Sequence, residues 1–250
     1  MKALITGASS GIGKEIARQL SDMGIDVILV ARRMTRLQEL KEELDGNVQI
    51  ISMDLKDENS CRLLYERLKA EEIDILVNNA GFGAYGSFDE VDLDTDLDMI
   101  NVNIKAVHIL TKLFLKDFIA RDYGYILNVA SLAGYLPGPL MSTYYASKAY
   151  VLRLSEAIYG ELKHKHSNVH ISVLCPGPVR TEFNRVANVR FAFKGMKPQN
   201  VAYQAISGMF REQRVIVPGF WMKCGRMLIR FAPTRLQLKA SYFIQRQKQQ

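Results

Sequence analysis

The first 24 residues constrain the fold most, because a strand, a glycine-rich turn and a helix follow one another there. The apolar run 3–5 predicts a short strand, and the segment 6–13 after it reads Thr-Gly-Ala-Ser-Ser-Gly-Ile-Gly. A helical pattern then runs from Gly11 to Met23 and ends at Gly24. Glycines let the backbone approach a phosphate, and a helix N-terminus offers free N–H groups to it. A phosphate-binding loop is therefore favoured over a plain turn, although the spacing Gly-x-x-x-Gly-x-Gly is not the commoner Gly-x-Gly-x-x-Gly.

Strand-like and helical segments alternate along the rest of the chain. Each strand-like segment is a short apolar run between turn residues, which is typical of a parallel sheet covered on both faces. The predicted strands are Ala3–Thr6, Ile25–Val30, Val48–Met53, Ile73–Val77, Gly124–Ala130, Val169–Cys175 and Val215–Pro218. With 250 residues and 48% hydrophobic content, the chain is long enough to bury one sizeable core. We predict an α/β fold, a doubly wound parallel sheet in a single domain over residues 1–250, with a nucleotide at the carboxyl ends of the strands.

Two arginines follow the second predicted strand. A site for NAD(H) usually has Asp or Glu there, which binds the 2′-hydroxyl of the ribose. Asp26 lies at the beginning of this strand instead, and Arg32 and Arg33 stand where the carboxylate is expected. Because guanidinium groups match phosphate geometry, these residues predict NADP(H), which carries a 2′-phosphate. The alternative is that both arginines merely begin the next helix.

Tyr144 and Lys148 are four residues apart, and Ser131 lies thirteen residues before the tyrosine. On a helix, positions four apart share a face. A nearby ammonium favours the phenolate and lowers the pKa of a tyrosine, which can then exchange a proton with a substrate oxygen near neutral pH. Many Tyr/Lys pairs at this spacing are solvent-exposed side chains without a function. The pair therefore indicates a catalytic site only together with the other motifs of the chain.

Taken together, these segments resemble the short-chain dehydrogenase/reductase family over roughly residues 1–182. The resemblance rests on six motifs in order. They are Thr6-Gly7 to Gly13, Asp54-Leu55, Asn78-Asn79-Ala80-Gly81, Asn103 followed by Ile104-Lys105-Ala106, the set Ser131, Tyr144 and Lys148, and Pro176-Gly177-Pro178-Val179-Arg180-Thr181. The resemblance implies a Rossmann-type fold and hydride transfer between nicotinamide and a carbonyl or secondary alcohol. A looser similarity of the C-terminal part points to the branch of ketoacyl and steroid reductases with an extension.

The resemblance also implies a role for each site residue. Tyr144 would be the general acid in reduction and the base in oxidation, and Ser131 would hold the substrate carbonyl oxygen. Lys148 would lower the tyrosine pKa and bind the nicotinamide ribose. Asn103 would support a proton path to that lysine through water, with Asn101 as a rival whose flanking residues match less well. The implied cofactor contacts are Gly7, Ser9, Ser10, Gly11, Ile12, Gly13, Arg32, Arg33, Asp54, Leu55, Asn79, Ala80, Gly81, Tyr144, Lys148, Pro176, Gly177, Val179 and Thr181.

Residues 182–197 are predicted to form a substrate lid, as this stretch usually does in the family. Its apolar lining would be Phe183, Phe191, Phe193 and Met196, and its rim would be Arg185, Arg190 and Lys194. These residue types favour an apolar carbonyl or alcohol, such as a ketoacyl or steroid-like ketone, over a sugar. The alternative is that the aromatic residues fill ordinary core.

Residues 220–250 form a predicted basic, amphipathic C-terminal extension. The formal net charge is +7, and no acidic residue follows Glu212. The basic residues after it are Arg214, Lys223, Arg226, Arg230, Arg235, Lys239, Arg246 and Lys248. One helical face up to Pro233 would carry Trp221, Cys224, Leu228 and Phe231. Three interpretations of that face stay open. It packs on the domain or on a sister subunit, it lies on an anionic membrane surface, or it binds an acidic protein partner.

The function predicted from the sequence is an NADP(H)-dependent carbonyl reductase, reversible as an alcohol dehydrogenase. The rivals are a non-catalytic NADP-binding sensor or scaffold, and a dehydratase or epimerase of nucleotide sugars. A homodimer or homotetramer is the family habit, and neither a nucleic-acid partner nor a metal site is expected. We expect a cytoplasmic protein, with peripheral membrane contact left open, because the first strand begins at residue 3 and no apolar run approaches the roughly 18 residues of a membrane span.

Overall fold

A computed structural model describes residues 1–187 and 195–246 of the chain. Within them, seven parallel strands form one sheet in the order β3-β2-β1-β4-β5-β6-β7. The strands are β1 Lys2–Thr6, β2 Asp26–Ala31, β3 Val48–Ser52, β4 Ile75–Asn78, β5 Gly124–Val129, β6 Val169–Leu174 and β7 Val215–Ile216. All seven predicted strands are confirmed, each end within two residues of the prediction. The doubly wound, Rossmann-type sheet in a single domain is confirmed as well.

Ten α-helices cover this sheet and extend beyond its last strand in the described part of the chain. They are α1 Gly11–Asp22, α2 Met34–Glu43, α3 Glu58–Leu68, α4 Leu93–Ile100, α5 Val107–Ala120, α6 Ser142–His164, α7 Phe183–Val186, α8 Pro198–Phe210, α9 Phe220–Phe231 and α10 Thr234–Arg246. A π-helical stretch, Asn101–Ala106, joins α4 to α5, so these two helices form one continuous but not uniform helical segment. A short 3₁₀ helix covers Leu132–Tyr135.

Local chemistry explains where several helices begin. The Asp57 carboxylate accepts from the backbone N–H groups of Asn59 and Ser60 and caps α3. Asp92 caps α4 in the same way through Thr95, and Pro198 occupies the first turn of α8, where a missing N–H costs nothing.

The core consists of one apolar layer on each face of the sheet. On one face the sheet packs against α1, α2 and α8, through side chains such as Ile16, Leu37 and Val201. On the other it packs against α3, α5 and α6, through side chains such as Leu64 and Phe114. Both faces are covered, which is why most strand positions are apolar and buried on either face of the sheet. Cys61 and Cys175 are buried free thiols.

The C-terminal extension folds into two helices, α9 and α10, on either side of Pro233. The helix predicted around Trp221 is present, but this side chain is 78% exposed, and Leu228 and Phe231 are exposed as well. The apolar face of α9 therefore does not pack on its own domain, which was one of the open interpretations, because the helix turns Met222 and Arg226 inward instead. Within the described residues, no helix is long and apolar enough to cross a bilayer.

Candidate active site

A cavity of about 570 Å³ opens at the carboxyl edge of the sheet. It lies where the strand order reverses between β1 and β4, which is the expected ligand site of a doubly wound sheet. Of the predicted catalytic and cofactor-binding residues, all but Gly13 and Asn103 line this cavity. Those that line it are Gly7, Ser9, Ser10, Gly11, Ile12, Arg32, Arg33, Asp54, Leu55, Asn79, Ala80, Gly81, Ser131, Tyr144, Lys148, Pro176, Gly177, Val179 and Thr181.

The glycine-rich turn forms a cradle at the N-terminus of α1. Gly7 adopts a φ of +66°, and a Cβ atom there would lie 2.8 Å from the Cα of Ala80. The side chain of Asn79 donates to the carbonyl oxygens of Thr6 and Gly7, at 3.0 and 3.2 Å. Gly13 packs beneath the turn, against the same asparagine, and not in the cavity wall. Only glycine fits these positions, and the cradle leaves room for the phosphates of a dinucleotide beside the helix N-terminus.

Arg33 is held in place by a residue that the sequence reasoning did not single out. One Nη of Arg33 lies 2.9 Å from the carboxylate of Glu182, and the other donates to Ser9 Oγ at 3.0 Å. Arg36 binds the second oxygen of the same carboxylate, also at 2.9 Å. These hydrogen bonds from the two arginines hold the pKa of Glu182 below its usual value.

Arg32 lies on the cavity rim with a looser partner. It is largely exposed, and its guanidinium is 4.0 Å from the carboxylate of Asp54. Helix α2 begins only at Met34, so both arginines precede the helix and line the cavity. An anion at this edge would meet Arg32 directly but would compete with Glu182 for Arg33.

Ser131 and Tyr144 bring their hydroxyl groups to the same wall. Tyr144 lies in the first turn of α6, and Ser131 caps the 3₁₀ helix by accepting from the N–H of Ala133 at 3.1 Å. Burial raises the pKa of Tyr144 above its usual value, and a hydrogen bond from Ser131 lowers it by less. The ring of Phe183 covers the tyrosine, with 5.2 Å between ring centroids. The phenol is thus neutral at neutral pH and in a position to donate its proton.

Lys148 is buried beneath the cavity, one helical turn after Tyr144. Its ammonium donates to the carbonyl oxygen of Val129 at 2.9 Å and lies 5.9 Å from the centroid of the tyrosine ring. Burial lowers the lysine pKa to about 8. The predicted lowering of the Tyr144 pKa by Lys148 is therefore wrong for this geometry. The spacing does place the two residues on one face, but the ammonium turns to the strand carbonyl, and burial dominates the tyrosine pKa.

Asn103 lies behind the cavity wall in the π-helical stretch. It is fully buried, donates to the carbonyl oxygen of Phe82 and to Ser147 Oγ, and accepts from the N–H of Phe82 at 3.1 Å. Asn101, its rival, has no comparable contact among the described residues. The asparagine amide thus fixes the backbone beside Gly81, where a Cβ atom would come within 2.8 Å of Asn103 Oδ1 and 3.3 Å of Lys148 Nζ.

The cavity chemistry fits a nicotinamide dinucleotide. The glycine cradle leaves room for its phosphates. Gly81 has no side chain to fill the space beside Lys148, and the hydroxyl groups of Ser131 and Tyr144 lie on the cavity wall. When bound, such a group supplies a hydride to a carbonyl carbon. The side chains supply what it lacks, namely a proton donor and a hydrogen-bond donor for the carbonyl oxygen.

The substrate side of the cavity is apolar where it is described. Leu136, Met141 and Phe183 line it, and the predicted lid begins there with helix α7. Met196 does not line the cavity, contrary to the prediction, because it forms a β-bridge with Val179 and packs on the core. Of the other predicted lid residues, Arg185 is exposed and lies 3.2 Å from the carboxylate of Glu182. Arg190, Phe191, Phe193 and Lys194 lie outside the described residues.

Helices α9 and α10 complete this side of the cavity, which the sequence reasoning missed. Ile229 of α9 and Ile244 of α10 line it, and the amide of Gln245 donates to the hydroxyl of Tyr145. No local pattern indicates these contacts, since the helices are far from the cavity in sequence and are placed only by folding.

The fold and this site together define a Rossmann-type protein whose cavity fits a nicotinamide cofactor. A family model described as short chain dehydrogenase matches residues 1–190. The chain belongs to the short-chain dehydrogenase family.

Individual relatives agree with this assignment. The chain is 34% identical over 201 residues to the very-long-chain 3-oxoacyl-CoA reductase of Anas platyrhynchos, a match that covers 76% of this chain but only 63% of that protein. It is 37% identical over 197 residues to a probable NADP-dependent dehydrogenase of Haemophilus influenzae, covering 76% of this chain and 75% of the relative. Among solved structures, the short-chain dehydrogenase from Sphingobium yanoikuyae in complex with NADPH has a TM-score of 0.84 and 29% identity, over 96% of this chain and 95% of that one.

Proposed function

We propose that the protein is an NADPH-dependent reductase of apolar ketones that also runs in reverse as a secondary-alcohol dehydrogenase. The observation that carries this proposal is the meeting of the Ser131 and Tyr144 hydroxyl groups with an apolar substrate wall. The ketoacyl and NADP-dependent enzymes among the relatives support the same reaction.

In this mechanism Ser131 and Tyr144 both bind the carbonyl oxygen of the ketone. As the hydride reaches the carbon, negative charge grows on that oxygen, and the two hydroxyl groups stabilise it. The oxygen then takes the proton of Tyr144, so that C=O becomes CH–OH. The lowered pKa of Lys148, about 8, makes its ammonium a ready source from which the phenolate is reprotonated, through the water path proposed for Asn103.

The preference for NADPH rests on the cationic rim at the end of β2. Arg32, Arg33 and Ser9 line the cavity together, and no carboxylate stands in the position that favours NAD(H). A 2′-phosphate bound there would replace the Glu182 carboxylate as the partner of Arg33 and accept a bidentate contact.

The apolar ketone is proposed from the residues that surround the hydroxyl groups. Leu136, Met141 and Phe183 line the cavity from one side, and Ile229 and Ile244 from the other. A ketoacyl chain or a fused-ring ketone buries apolar surface against these residues, whereas a sugar leaves its hydroxyl groups unpaired. We propose residues 182–197 as the lid over this pocket.

One set of measurements tests the proposal. NADPH oxidation is followed with medium-chain ketoacyl thioesters, steroid ketones, small aldehydes and a keto sugar, with NADH in parallel. We expect the highest kcat/KM with the first two classes, slower turnover of the small aldehydes, and at least a tenfold preference for NADPH. Turnover confined to the sugar refutes the apolar pocket, and a preference for NADH refutes the role of the arginines.

A non-catalytic sensor is distinguished by one substitution. Tyr144→Phe removes the proton donor but keeps the ring that packs against Phe183. We expect kcat to fall by roughly 10²- to 10⁴-fold while NADPH binding survives. Equal activity of the variant and the parent protein would reject the tyrosine as proton donor.

Pairing of two copies is proposed through α4, α5 and α6, as the family habit suggests. Exposed apolar side chains on these helices support it, namely Leu93, Leu97, Ile119 and Tyr150. Light scattering after gel filtration should give twice the chain mass of 28.3 kDa, or a multiple of that. Leu97→Lys should shift the protein to the monomer, and an unchanged mass rejects this interface.

A further inference from the structure

Helix α10 is amphipathic in the opposite sense to a helix that packs on a water-soluble domain. Its inward side carries the buried polar residues Ser241 and Gln245, and the latter has no exposed surface. Its outward side exposes the apolar residues Leu236 and Phe243. A surface helix normally buries its apolar stripe and solvates its polar side. The described chain therefore leaves the apolar side of α10 without a partner.

Helix α9 repeats this inversion. Phe220, Trp221, Met227, Leu228 and Phe231 are each more than 60% exposed, and helical spacing gathers them on one side. The opposite side holds the helix to the domain through Met222, which packs on Gly177, and Arg226, which lies 5.2 Å from the centroid of the Tyr135 ring. We call the exposed apolar residues of α9, together with Leu236 and Phe243 of α10, the outer face. An exposed surface of seven large apolar side chains is typical of an interaction site.

The charge around the outer face indicates the chemistry of its partner. Lys223, Arg235, Lys239 and Arg246 are exposed, and none of them has a carboxylate within 4.0 Å in the described part of the chain. The sequence offers no acid after Glu212. A second copy placed on this face would bring cations against cations, which opposes self-pairing. A surface with dispersed negative charge and an apolar interior complements both features.

We propose that α9 and α10 bind the surface of an anionic membrane. The outer face enters the boundary between lipid head groups and acyl chains, and the lysine and arginine side chains bind the lipid phosphates. The two helices lie in the plane of the surface and do not span it. Their inner sides carry Ile229 and Ile244 into the active-site cavity, so a membrane bound to the outer face lies next to the substrate pocket. This last consequence rests on the proposed reduction of apolar ketones, whereas the docking itself does not.

The protein contains its own probe of this contact. Trp221 is the only tryptophan of the chain and lies on the outer face. We expect its fluorescence to shift to the blue with vesicles of phosphatidylcholine and phosphatidylglycerol at about 70:30, and the protein to sediment with them. Vesicles of phosphatidylcholine alone should bind at least tenfold more weakly, and 0.5 M NaCl should release much of the bound protein because it screens the cations.

Matched variants distinguish binding through the outer face from non-specific adsorption to the vesicles. Phe231→Ser with Phe243→Ser should weaken sedimentation at least tenfold, while the control pair Leu63→Ser with Phe88→Ser, two exposed apolar residues elsewhere, should not. Arg235→Gln with Lys239→Gln should weaken binding to the anionic vesicles, and Lys112→Gln with Lys116→Gln should have a smaller effect. The far-UV circular dichroism spectrum and the midpoint of thermal unfolding check that each variant is folded.

Three outcomes would overturn the proposal. The first is equal binding to neutral and anionic vesicles, or to neither. The second is a blue shift that depends on protein concentration in the absence of lipid and is lost in the Phe231/Phe243 variant, which identifies a second copy as the occupant. The third is displacement of the vesicles by an acidic acyl carrier protein that binds the same face more tightly. None of these measurements needs cofactor or substrate, so their failure is distinct from a failure of the proposed function.

Discussion

Lys148 donates a hydrogen bond to the carbonyl oxygen of Val129, at 2.9 Å, and not to the hydroxyl of Tyr144. The ammonium thereby satisfies one hydrogen bond at the end of β5 while it remains almost fully buried. A buried cation without a carboxylate partner lowers the stability of the fold, and the depressed lysine pKa of about 8 expresses that cost. The residue is kept at the expense of stability, which is typical of a functional group.

Replacing this lysine should therefore stabilise the cofactor-free protein. The lysine pKa falls from 10.5 in the unfolded chain to about 8 in the fold, so its penalty is complete below pH 8 and disappears above pH 10.5. The shift corresponds to roughly 3 kcal/mol, and the lost bond to Val129 offsets about 1 kcal/mol of it. Lys148→Met should raise the free energy of unfolding at pH 7 by roughly 2 kcal/mol, with a gain that shrinks towards pH 10, and should abolish turnover.

Urea unfolding at pH 7 and at pH 9.5 checks this sign. The exposed Lys165→Met serves as the control and should leave the free energy of unfolding unchanged at both pH values. A gain that grows with pH, or a loss at pH 7, would contradict the account of a buried, unpaired ammonium.

The contact between Glu182 and Arg33 predicts that the protein itself restrains cofactor binding. The carboxylate occupies both Arg33 and Arg36, and a 2′-phosphate must displace it. Glu182→Gln should therefore tighten NADPH binding by roughly fivefold, since partly exposed pairs of this kind are worth up to about 1 kcal/mol. The affinity for NADH should not change.

Titration calorimetry with both cofactors measures this difference. Glu161→Gln, which removes an exposed carboxylate of α6, is the control. Weaker NADPH binding in Glu182→Gln would mean that the carboxylate orders Arg33 for the phosphate and does not compete with it.

The backbone at Gly81 predicts a further loss of activity without loss of the fold. A Cβ atom there would lie 2.8 Å from Asn103 Oδ1, and this buried amide cannot yield, because three hydrogen bonds hold it. Gly81→Ala should lower kcat/KM by roughly 10²-fold, the effect of a displacement of about 1 Å.

Gly160→Ala is the matched control, since a Cβ atom there meets nothing within 4 Å and the residue lies within α6, near its C-terminal end. This change should keep full activity and stabilise the protein by about 1 kcal/mol through helix propensity. Steady-state kinetics and thermal unfolding of both variants test this prediction. A fully active Gly81→Ala variant would show that the position of the Asn103 amide does not matter for activity.

The hydrogen bond between Gln245 and Tyr145 holds α10 over the cavity. Breaking it should loosen the wall that Ile244 provides and raise KM for large apolar ketones by roughly threefold to tenfold, since one such bond is worth about 1 kcal/mol. The KM of a small aldehyde should stay constant.

Both Gln245→Leu and Tyr145→Phe remove this bond, so the two effects should not add in the double variant. Steady-state kinetics of the four proteins measures the coupling. Additive effects would show that the two residues act separately on the substrate.

The sequence predicted most of the sheet because buried parallel strands are continuous apolar runs with sharp ends. It also predicted the cofactor side of the cavity, where backbone geometry requires glycine at positions such as Gly7. It did not predict the direction of the Lys148 ammonium, since the spacing of two residues fixes a shared face but not the acceptor. It missed Glu182, Ile229 and Ile244, because their contacts depend on how distant segments meet.

The π-helical stretch between α4 and α5 ties the active site to helix geometry in a way that forbids a simple shortening. Its wider turn accommodates one extra residue within the helix. Deleting a single residue between Asn101 and Ala106 would therefore restore a regular helix with α5 still in register against the sheet, but it would swing Asn103 away from Phe82. This part of the chain therefore tolerates exchange of side chains far better than a change of length.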